Sequence, residues 1–305
     1  MEYTDQFSQK VVGAFGAIGE KWLEELDSIV QNYIKKWNLT FVAPVDNLSY
    51  NYVVKVKDAE DNPFILKIGI PNYDFSNEIR TLETYGGKGC AAIIKSDAEN
   101  GAMLLEHILP GTMLTKVEEL NSISHFAKVW SALRRSVKKN ANHPSIGNWM
   151  ESLDRFQATN PTNQGLISDD FICLAKTYFM EITNSSKGSE LLHGDLHHEN
   201  ILYSDTHGWI AIDPKGVTGD PYFDTTSFLI NQLFNKPNPK KVLEQRVNLL
   251  CDEMQMDKNR LLKAAIAMSI LYACWGIDDN NSDWKNTYLC AQWFEEFRSP
   301  NLLDS

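Results

Sequence analysis

Asp195 and Asn200 lie five positions apart in Leu191-Leu192-His193-Gly194-Asp195-Leu196-His197-His198-Glu199-Asn200, and Asp213 follows in Ile212-Asp213-Pro214. By type and spacing these are the residues of the chain best suited to chemistry. Phosphoryl transfer leaves little covalent work to a protein: it needs a carboxylate to orient the attacking hydroxyl, oxygen ligands for a divalent cation, and positive charge on the phosphates. On this reading Asp195 is the catalytic residue, which accepts or orients the hydroxyl proton. Asn200 and Asp213 hold Mg²⁺, a hard cation that takes oxygen ligands and usually keeps several waters. Each residue also has a plainer explanation, Asp195 as a turn or helix-capping aspartate and the other two as Asx residues of a hairpin. Their joint spacing favours ATP-dependent phosphoryl transfer.

The elements that must position these groups are legible in outline. Residues 16–37 carry Trp22, Leu23, Leu26, Ile29, Val30, Tyr33 and Ile34 at three- and four-residue intervals, the stripe of an amphipathic helix. Tyr52-Val53-Val54-Lys55-Val56 and Phe64-Ile65-Leu66-Lys67-Ile68 then read as strands joined by a polar, turn-rich segment. A helix over 77–85 and strands over 91–95 and 101–106 follow, with Leu109-Pro110-Gly111 as a break. Beyond Pro110 the pattern is helical, over 117–138, 169–182, 242–256 and 261–275, the last almost uniformly apolar and so expected in the interior. Ile201-Leu202-Tyr203 and Trp209-Ile210-Ala211-Ile212 form a hairpin that returns Asp213 towards Asn200. The pattern predicts an α+β, bilobal, protein-kinase-like fold. A small N-lobe with an antiparallel sheet occupies 1–106 and binds nucleotide; a larger, mainly helical C-lobe over 107–305 carries the catalytic loop and substrate site.

Within the predicted N-lobe, Lys67 sits in an apolar strand, where an inward lysine needs an ionic partner. ATP phosphates supply one, and Glu78 on the next helix is the natural carboxylate to hold it, with Glu83 as the fallback; a surface lysine is the competing reading. The turn expected to cover the phosphates, Asp46-Asn47-Leu48-Ser49-Tyr50-Asn51, has no glycine, so Ser49 and Asn51 are the candidate phosphate donors by position. Backbone groups from Glu106 to Ile108 are candidates for adenine, an ordinary edge strand being the alternative. His193 reads as a loop-shaping residue rather than a base. His197 and His198 invite a metal reading, but no cysteine or histidine cluster at zinc-ligand spacing lies nearby, which argues against zinc. Asp220 and Asp224 are expected to tie the catalytic loop to the following helix through hydrogen bonds.

Composition narrows the partners. The chain has 305 residues, 43% of them hydrophobic, enough for two lobes around a cleft, and a net charge of −11 that argues against nucleic acid. A small cationic substrate suits the acidity better. Five cysteines without a C-x-x-C pair read as reduced core thiols of a cytoplasmic protein, and the acidic, short-run N-terminus predicts neither signal peptide nor membrane span.

The H-G-D loop, with Gly194 where protein kinases carry arginine in H-R-D-x-x-x-x-N, is typical of aminoglycoside phosphotransferase-like kinases. Three further segments resemble the streptomycin 6-phosphotransferase and hydroxyurea-resistance branch. They are Gly19-Glu20-Lys21-Trp22-Leu23 through Trp37-Asn38-Leu39, Ala102-Met103-Leu104-Leu105-Glu106 through Pro110-Gly111, and Tyr272-Ala273-Cys274-Trp275-Gly276-Ile277-Asp278-Asp279; Ile212-Asp213-Pro214-Lys215-Gly216 completes the match. The resemblance implies a bilobal kinase using ATP and Mg²⁺ on a small-molecule hydroxyl, with Asp195 catalytic, Asn200 and Asp213 on the metal and Lys67 on phosphate. The leading expectation is an antibiotic kinase acting on a cationic aminocyclitol such as streptomycin, with Asp278 and Asp279 as substrate-binding acids; a solvated helix end is the plainer account of both. A housekeeping kinase of a sugar or amino alcohol, and a catalytically silent nucleotide-binding module, are the alternatives.

Overall fold

The computed structural model describes residues 3–46, 48–137, 142–160 and 166–298. The chain forms two compact units. The first runs through Gly111 and also takes in Tyr203–Ile212; the second holds Thr112–Leu202 and the chain from Asp213 onward.

In the first unit α1 (Asp5–Phe15) and α2 (Ala17–Trp37) precede β1 (Thr40–Pro44), β2 (Tyr52–Lys57), β3 (Pro63–Ile68), α3 (Tyr73–Tyr85), β4 (Ile93–Asp97) and β5 (Ala102–Glu106), and β6 (Pro110–Met113) leads out. The sheet is antiparallel, in the order β1-β2-β3-β5-β4. Trp22, Leu26, Val30 and Tyr33 form the buried stripe of α2, which ends where Asn38 turns left-handed and donates to the Ile34 and Lys35 carbonyls. That stripe packs with Tyr52, Val54 and Val56 of β2, with Leu66 and Ile68 of β3, and with Phe7 and Val11 of α1. Helix α1, capped by Thr4, buries Phe7 and Val11 and lies outside the helices expected from sequence. Because side chains alternate along a strand, Lys67 points to the other face of β3 from Leu66 and Ile68.

The second unit begins with α4 (Glu119–Leu133), β7 (Arg135–Ser136), α5 (Ile146–Thr159), α6 (Asp169–Ser185) and β8 (Glu190–Leu192). After β9 (Ile201–Ser204) and β10 (Gly208–Ala211) come β11 (Val217–Gly219), α7 (Thr226–Ile230), α8 (Pro239–Met254), α9 (Lys258–Asp278) and α10 (Trp284–Arg298). The continuous helix expected over 117–138 instead stops at Leu133. Arg134 pairs with Glu190, and the backbone goes extended to lay Arg135 against Leu191 of β8; Lys138 lies outside the described residues. Helix α9 is the core element. It is buried on all sides from Leu261 to Leu271 apart from Lys263, and it packs with Ile146, Met150, Leu153 and Phe156 of α5 and Ile172, Ala175 and Ile182 of α6. It is long and apolar enough to cross a membrane by length and composition, yet 67% of its most apolar window lies inside the fold.

The division differs from the continuous split between residues 106 and 107, because the Tyr203–Ile212 segment belongs with the first unit. Ala91 N–H donates to Ala211 O, Ala211 N–H to Gly89 O and Asp205 N–H to Leu109 O, and His207 Nε2 meets Glu106 Oε1 at 2.7 Å. Of the expected core thiols, Cys90, Cys251, Cys274 and Cys290 are buried and Cys173 is exposed on α6. Burial pushes the Cys274 and Cys290 thiols up to about 12.

Candidate active site

Strand β8 delivers the chain into the His193-Gly194-Asp195 turn. Antiparallel β11 brings the segment after Asp213 back alongside, with Val217 opposite Leu192. The carbonyl of His193 accepts from the N–H groups of Lys215 and Gly216, at 2.8 and 3.1 Å. Gly194 has φ +81°, and a Cβ there would stand 3.0 Å from Trp149 Cη2, 3.1 Å from Val217 Cγ1 and 3.3 Å from Lys215 Cβ. Both backbone conformation and space therefore call for glycine before Asp195.

The turn is pinned from beneath by Asp224, whose carboxylate accepts from the N–H groups of His193 (3.1 Å) and Gly194 (2.7 Å). Burial raises the Asp224 carboxyl to about 6 against the pull of those two bonds, with the Asp195 charge adding to the rise. The tether expected of Asp224 is thus present. Asp220 is spent differently: it caps the turn at Tyr222 and pairs with Arg260 of α9 at 2.6 Å, so it fixes β11 to α9 rather than the loop.

Asp195 is partly exposed and lies 3.5 Å from Lys215 Nζ and 3.8 Å from His197 Nε2. Burial works against its ionisation, but the Lys215, His197 and His193 charges outweigh it and hold the carboxyl below its ordinary value. His197 is itself held between acids, with Nδ1 2.9 Å from Glu199 Oε2. Burial opposes its protonation, and Glu199 and Asp195 shift the balance upward. Asn200 donates its amide to the Asp195 carbonyl at 2.9 Å and lies 3.2 Å from His197 Nε2. These contacts orient the amide nitrogen inward and leave its oxygen to face another partner. Asp213, with φ +55°, sits at the left-handed bend from which Lys215 and Gly216 bond back to His193.

An amide oxygen and a carboxylate are the donor set a hard divalent ion prefers. Among the described residues no group of three or more His, Cys, Asp or Glu is placed to hold a metal. Asn200 and Asp213 offer that donor chemistry, and an ion such as Mg²⁺ that is shared with phosphates and water needs few protein ligands.

In the first unit, Lys67 and Glu78 are both buried, and Lys67 Nζ meets Glu78 Oε1 at 2.7 Å. Of the turn between β1 and β2, Asn47 lies outside the described residues, and Ser49 is exposed. Asn51 faces Gly69, just past β3, where a Cβ would stand 2.2 Å from Asn51 Oδ1. The Glu106 N–H donates to Ala92 O and its carboxylate meets His207, while Ile108 is buried. Asp278 ends α9 and Asp279 caps it, both exposed, with burial and the neighbouring Asp279 charge pushing the Asp278 carboxyl up. No hydrogen bond or ion pair joins either acid to Asp195. A strip of aromatic side chains lies between: Trp149 beside Gly194, then Trp275 at 5.4 Å between ring centroids, one helical turn before Asp278.

Sequence reasoning passed over Lys215 as a chemical residue. Its signal was a lysine two places after Asp213 on a turn returning to the loop.

Residues 36–280 match the model of the aminoglycoside/hydroxyurea antibiotic resistance kinase family. The chain belongs to this family. It is a small-molecule phosphotransferase with a hydroxyl acceptor. The chain is 24% identical over 291 residues to streptomycin 6-kinase of Streptomyces glaucescens, covering 92% of this chain and 93% of the relative. It is 25% identical over 270 residues to hydroxyurea phosphotransferase of Kitasatospora aureofaciens, covering 87% and 77%. A thermostable mutant of aminoglycoside phosphotransferase APH(4)-Ia, crystallised with ADP and hygromycin B, superposes with a TM-score of 0.62 at 10% identity, covering 90% of this chain and 99% of that one. That likeness establishes the kinase-like fold, with a sheet-bearing first unit and a helical second one.

Proposed function

We propose that this kinase transfers the γ-phosphate of ATP, with Mg²⁺, to a hydroxyl of a small cationic molecule of the aminoglycoside type, streptomycin being the first candidate. The observation that carries the reading is the Asp195 loop. Its carboxylate is kept ionised by Lys215 and His197, its backbone is pinned by Asp224, and Asn200 is bonded to its carbonyl.

In this scheme Asp195 accepts a hydrogen bond from the acceptor hydroxyl and aims its oxygen at phosphorus. A carboxylate held below its usual range is a weak base, which suits a loose transition state in which the hydroxyl proton leaves late. Lys215 keeps Asp195 charged before transfer and offsets that charge as the phosphoryl group approaches. Lys67, held by Glu78, binds ATP phosphate oxygens. Asn200 and Asp213 would hold Mg²⁺, which when bound neutralises charge on the phosphates. Ser49, Asn51 and the backbone from Glu106 to Ile108 serve the nucleotide. Asp278 and Asp279, one turn beyond Trp275, receive the cationic groups of the acceptor by charge-assisted hydrogen bonds. The streptomycin 6-kinase relationship supports the choice of substrate.

The test is ADP release by the purified protein across a panel of aminoglycosides, hydroxyurea, sugars and amino alcohols, with and without Mg²⁺. Streptomycin-dependent, Mg²⁺-dependent release is expected. Turnover confined to an uncharged metabolite would replace the aminoglycoside reading with a housekeeping one.

A further inference from the structure

Arg246 of α8 is fully buried, one helical step from Leu243, Val247 and Leu250, and takes no part in the chemistry described above. A buried guanidinium is tolerated only when paired and hydrogen-bonded. Its Nε donates to Glu119 Oε1 at 2.5 Å, and Glu119 is also 2.9 Å from Lys236. Burial alone would raise the Glu119 carboxyl, but these two cations bring it down to about 2. The Arg246 Nη1 group then donates to three backbone carbonyls at the end of α7, those of Phe228 (3.2 Å), Leu229 (2.8 Å) and Asn231 (2.7 Å).

The residues whose backbone Arg246 gathers reach the catalytic loop themselves. Asn231 Oδ1 is 2.9 Å from His198 Nδ1, and Gln232 donates to Glu199. The His198 ring stacks on Phe228, with centroids 4.4 Å apart and planes 15° apart, and Phe228 stacks in turn on Phe126. His198 and Glu199 immediately precede Asn200. Beside this aromatic stack lies a cavity of about 120 Å³, lined by Glu119, Ser122, His198, Gln232 and Lys236 among others, so apolar packing closes one side of the stretch and not the other. Where packing does not fix a loop, directional hydrogen bonds must.

We infer that Arg246, with Glu119, is a positioning residue for the catalytic loop. It clamps the carbonyls at the end of α7, so that Asn231 and Gln232 hold His198 and Glu199, and with them Asn200, in register with Asp195. The inference rests on the reading of that loop as catalytic, but its first measurement does not.

Amide hydrogen exchange over residues 193–200 is compared between the wild type and the double variant Asn231→Ala/Gln232→Ala, which leaves the buried ion pair untouched. Exchange in that stretch is expected to quicken about tenfold or more, with α9 unchanged, because local opening is released from one tether rather than from the global core. ADP release from ATP, with streptomycin and with water alone as acceptors, is expected to show kcat lowered about tenfold and KM for ATP unchanged. Asn231→Asp, which keeps an oxygen for His198, restores both. Arg246→Lys, or the milder Glu119→Gln if that variant does not fold, is expected to quicken the same exchange and lower kcat likewise; wild-type exchange and kcat in the folded variant overturn the role of Arg246. Unchanged exchange in the double variant overturns the relay whatever the acceptor. Quickened exchange with wild-type kcat overturns the positioning role. Near-normal turnover of Asp195→Asn is the separate result that would remove the catalytic reading itself.

Discussion

Lys67 is held by regular backbone, whereas Asp195 is held by side chains. Lys67 stands inside a strand paired on both edges, opposite Val53 and Met103, and an ion pair to Glu78 of α3 adds to that setting. Asp195 sits on irregular chain, and its place depends on contacts from separate stretches: Asp224 beneath, Lys215 beside, Asn200 across, and behind them the Arg246 clamp. A strand fixes direction through its ladder, which leaves less for side-chain partners to do; a loop has no ladder, and each degree of freedom needs its own bond. Removal of a group from the first kind of site should therefore damage stability and binding together. Removal from the second should separate chemistry from folding.

The largest effect is expected at the strand. Lys67→Ala removes the buried cation that Glu78 Oε1 meets at 2.7 Å, which should destabilise the fold by about 3–5 kcal/mol by urea unfolding. It should also raise KM for ATP. A stability within error of wild type would mean that Glu78 finds water or another partner, and that the strand site is no more rigid than the loop.

Next in size, Asp195→Asn should lower kcat at least about a hundredfold, equivalent to about 2.7 kcal/mol of transition-state stabilisation, while ATP affinity by calorimetry and unfolding stability stay close to wild type. A folded variant with near-normal ADP release would take Asp195 out of the mechanism.

Asp224→Asn bears on the tether rather than the reacting group. An amide presents only one acceptor to two buried N–H groups, so a loss of about 1–3 kcal/mol is expected in chemical denaturation, together with a fall in kcat. A stability loss with kcat untouched would show that the turn holds its shape without this bond.

Acid should act on the first unit through Asp97, which accepts from Tyr33 and pairs with Lys36 of α2 at 2.8 and 2.7 Å. Its carboxyl is held at about 2 by Lys36, Asn100 and Tyr33 against burial, below the ordinary 3.8. A lowered native value means stability that is complete above the unfolded value and is lost as pH falls from about 4 towards about 2. With Lys36 more than half exposed, the contribution is expected near 1 kcal/mol. Asp97→Asn should flatten that part of the stability–pH curve; an unchanged curve would assign the acid limb to other carboxylates.

The smallest effect belongs to the exposed pair at the end of α9. Asp278→Asn with Asp279→Asn should raise KM for a cationic acceptor about two- to fivefold, kcat being unchanged, since each exposed contact is worth little and is screened by salt. Equal KM values at low and high ionic strength would return both acids to the solvated surface.

Much of this was legible along the chain because it is local. The Asp195-to-Asn200 interval lies within one loop, and the apolar run around Lys67 forces the lysine either out to solvent or onto a partner such as Glu78, eleven residues on. The stripe of α2 follows from periodicity, and the uniform burial of α9 from its almost continuous apolar run. Other elements were missed: α1, α5 and α10 were not anticipated, and the helix over 117–138 broke where β8 offered a strand partner.

Sequence by itself determined the class of fold and which side chains are candidates for the chemistry, because residue type and near-neighbour spacing are written in the chain. Tertiary structure alone decided what tunes and steadies them. Lys215 reaches Asp195 only because β11 pairs antiparallel with β8, and Arg246 reaches Glu119 across 127 residues only because α8 packs on α4. An arginine on an apolar stripe signals that a partner must exist, since its charge cannot be buried alone; which partner it finds depends on how distant helices pack, and local periodicity does not encode that.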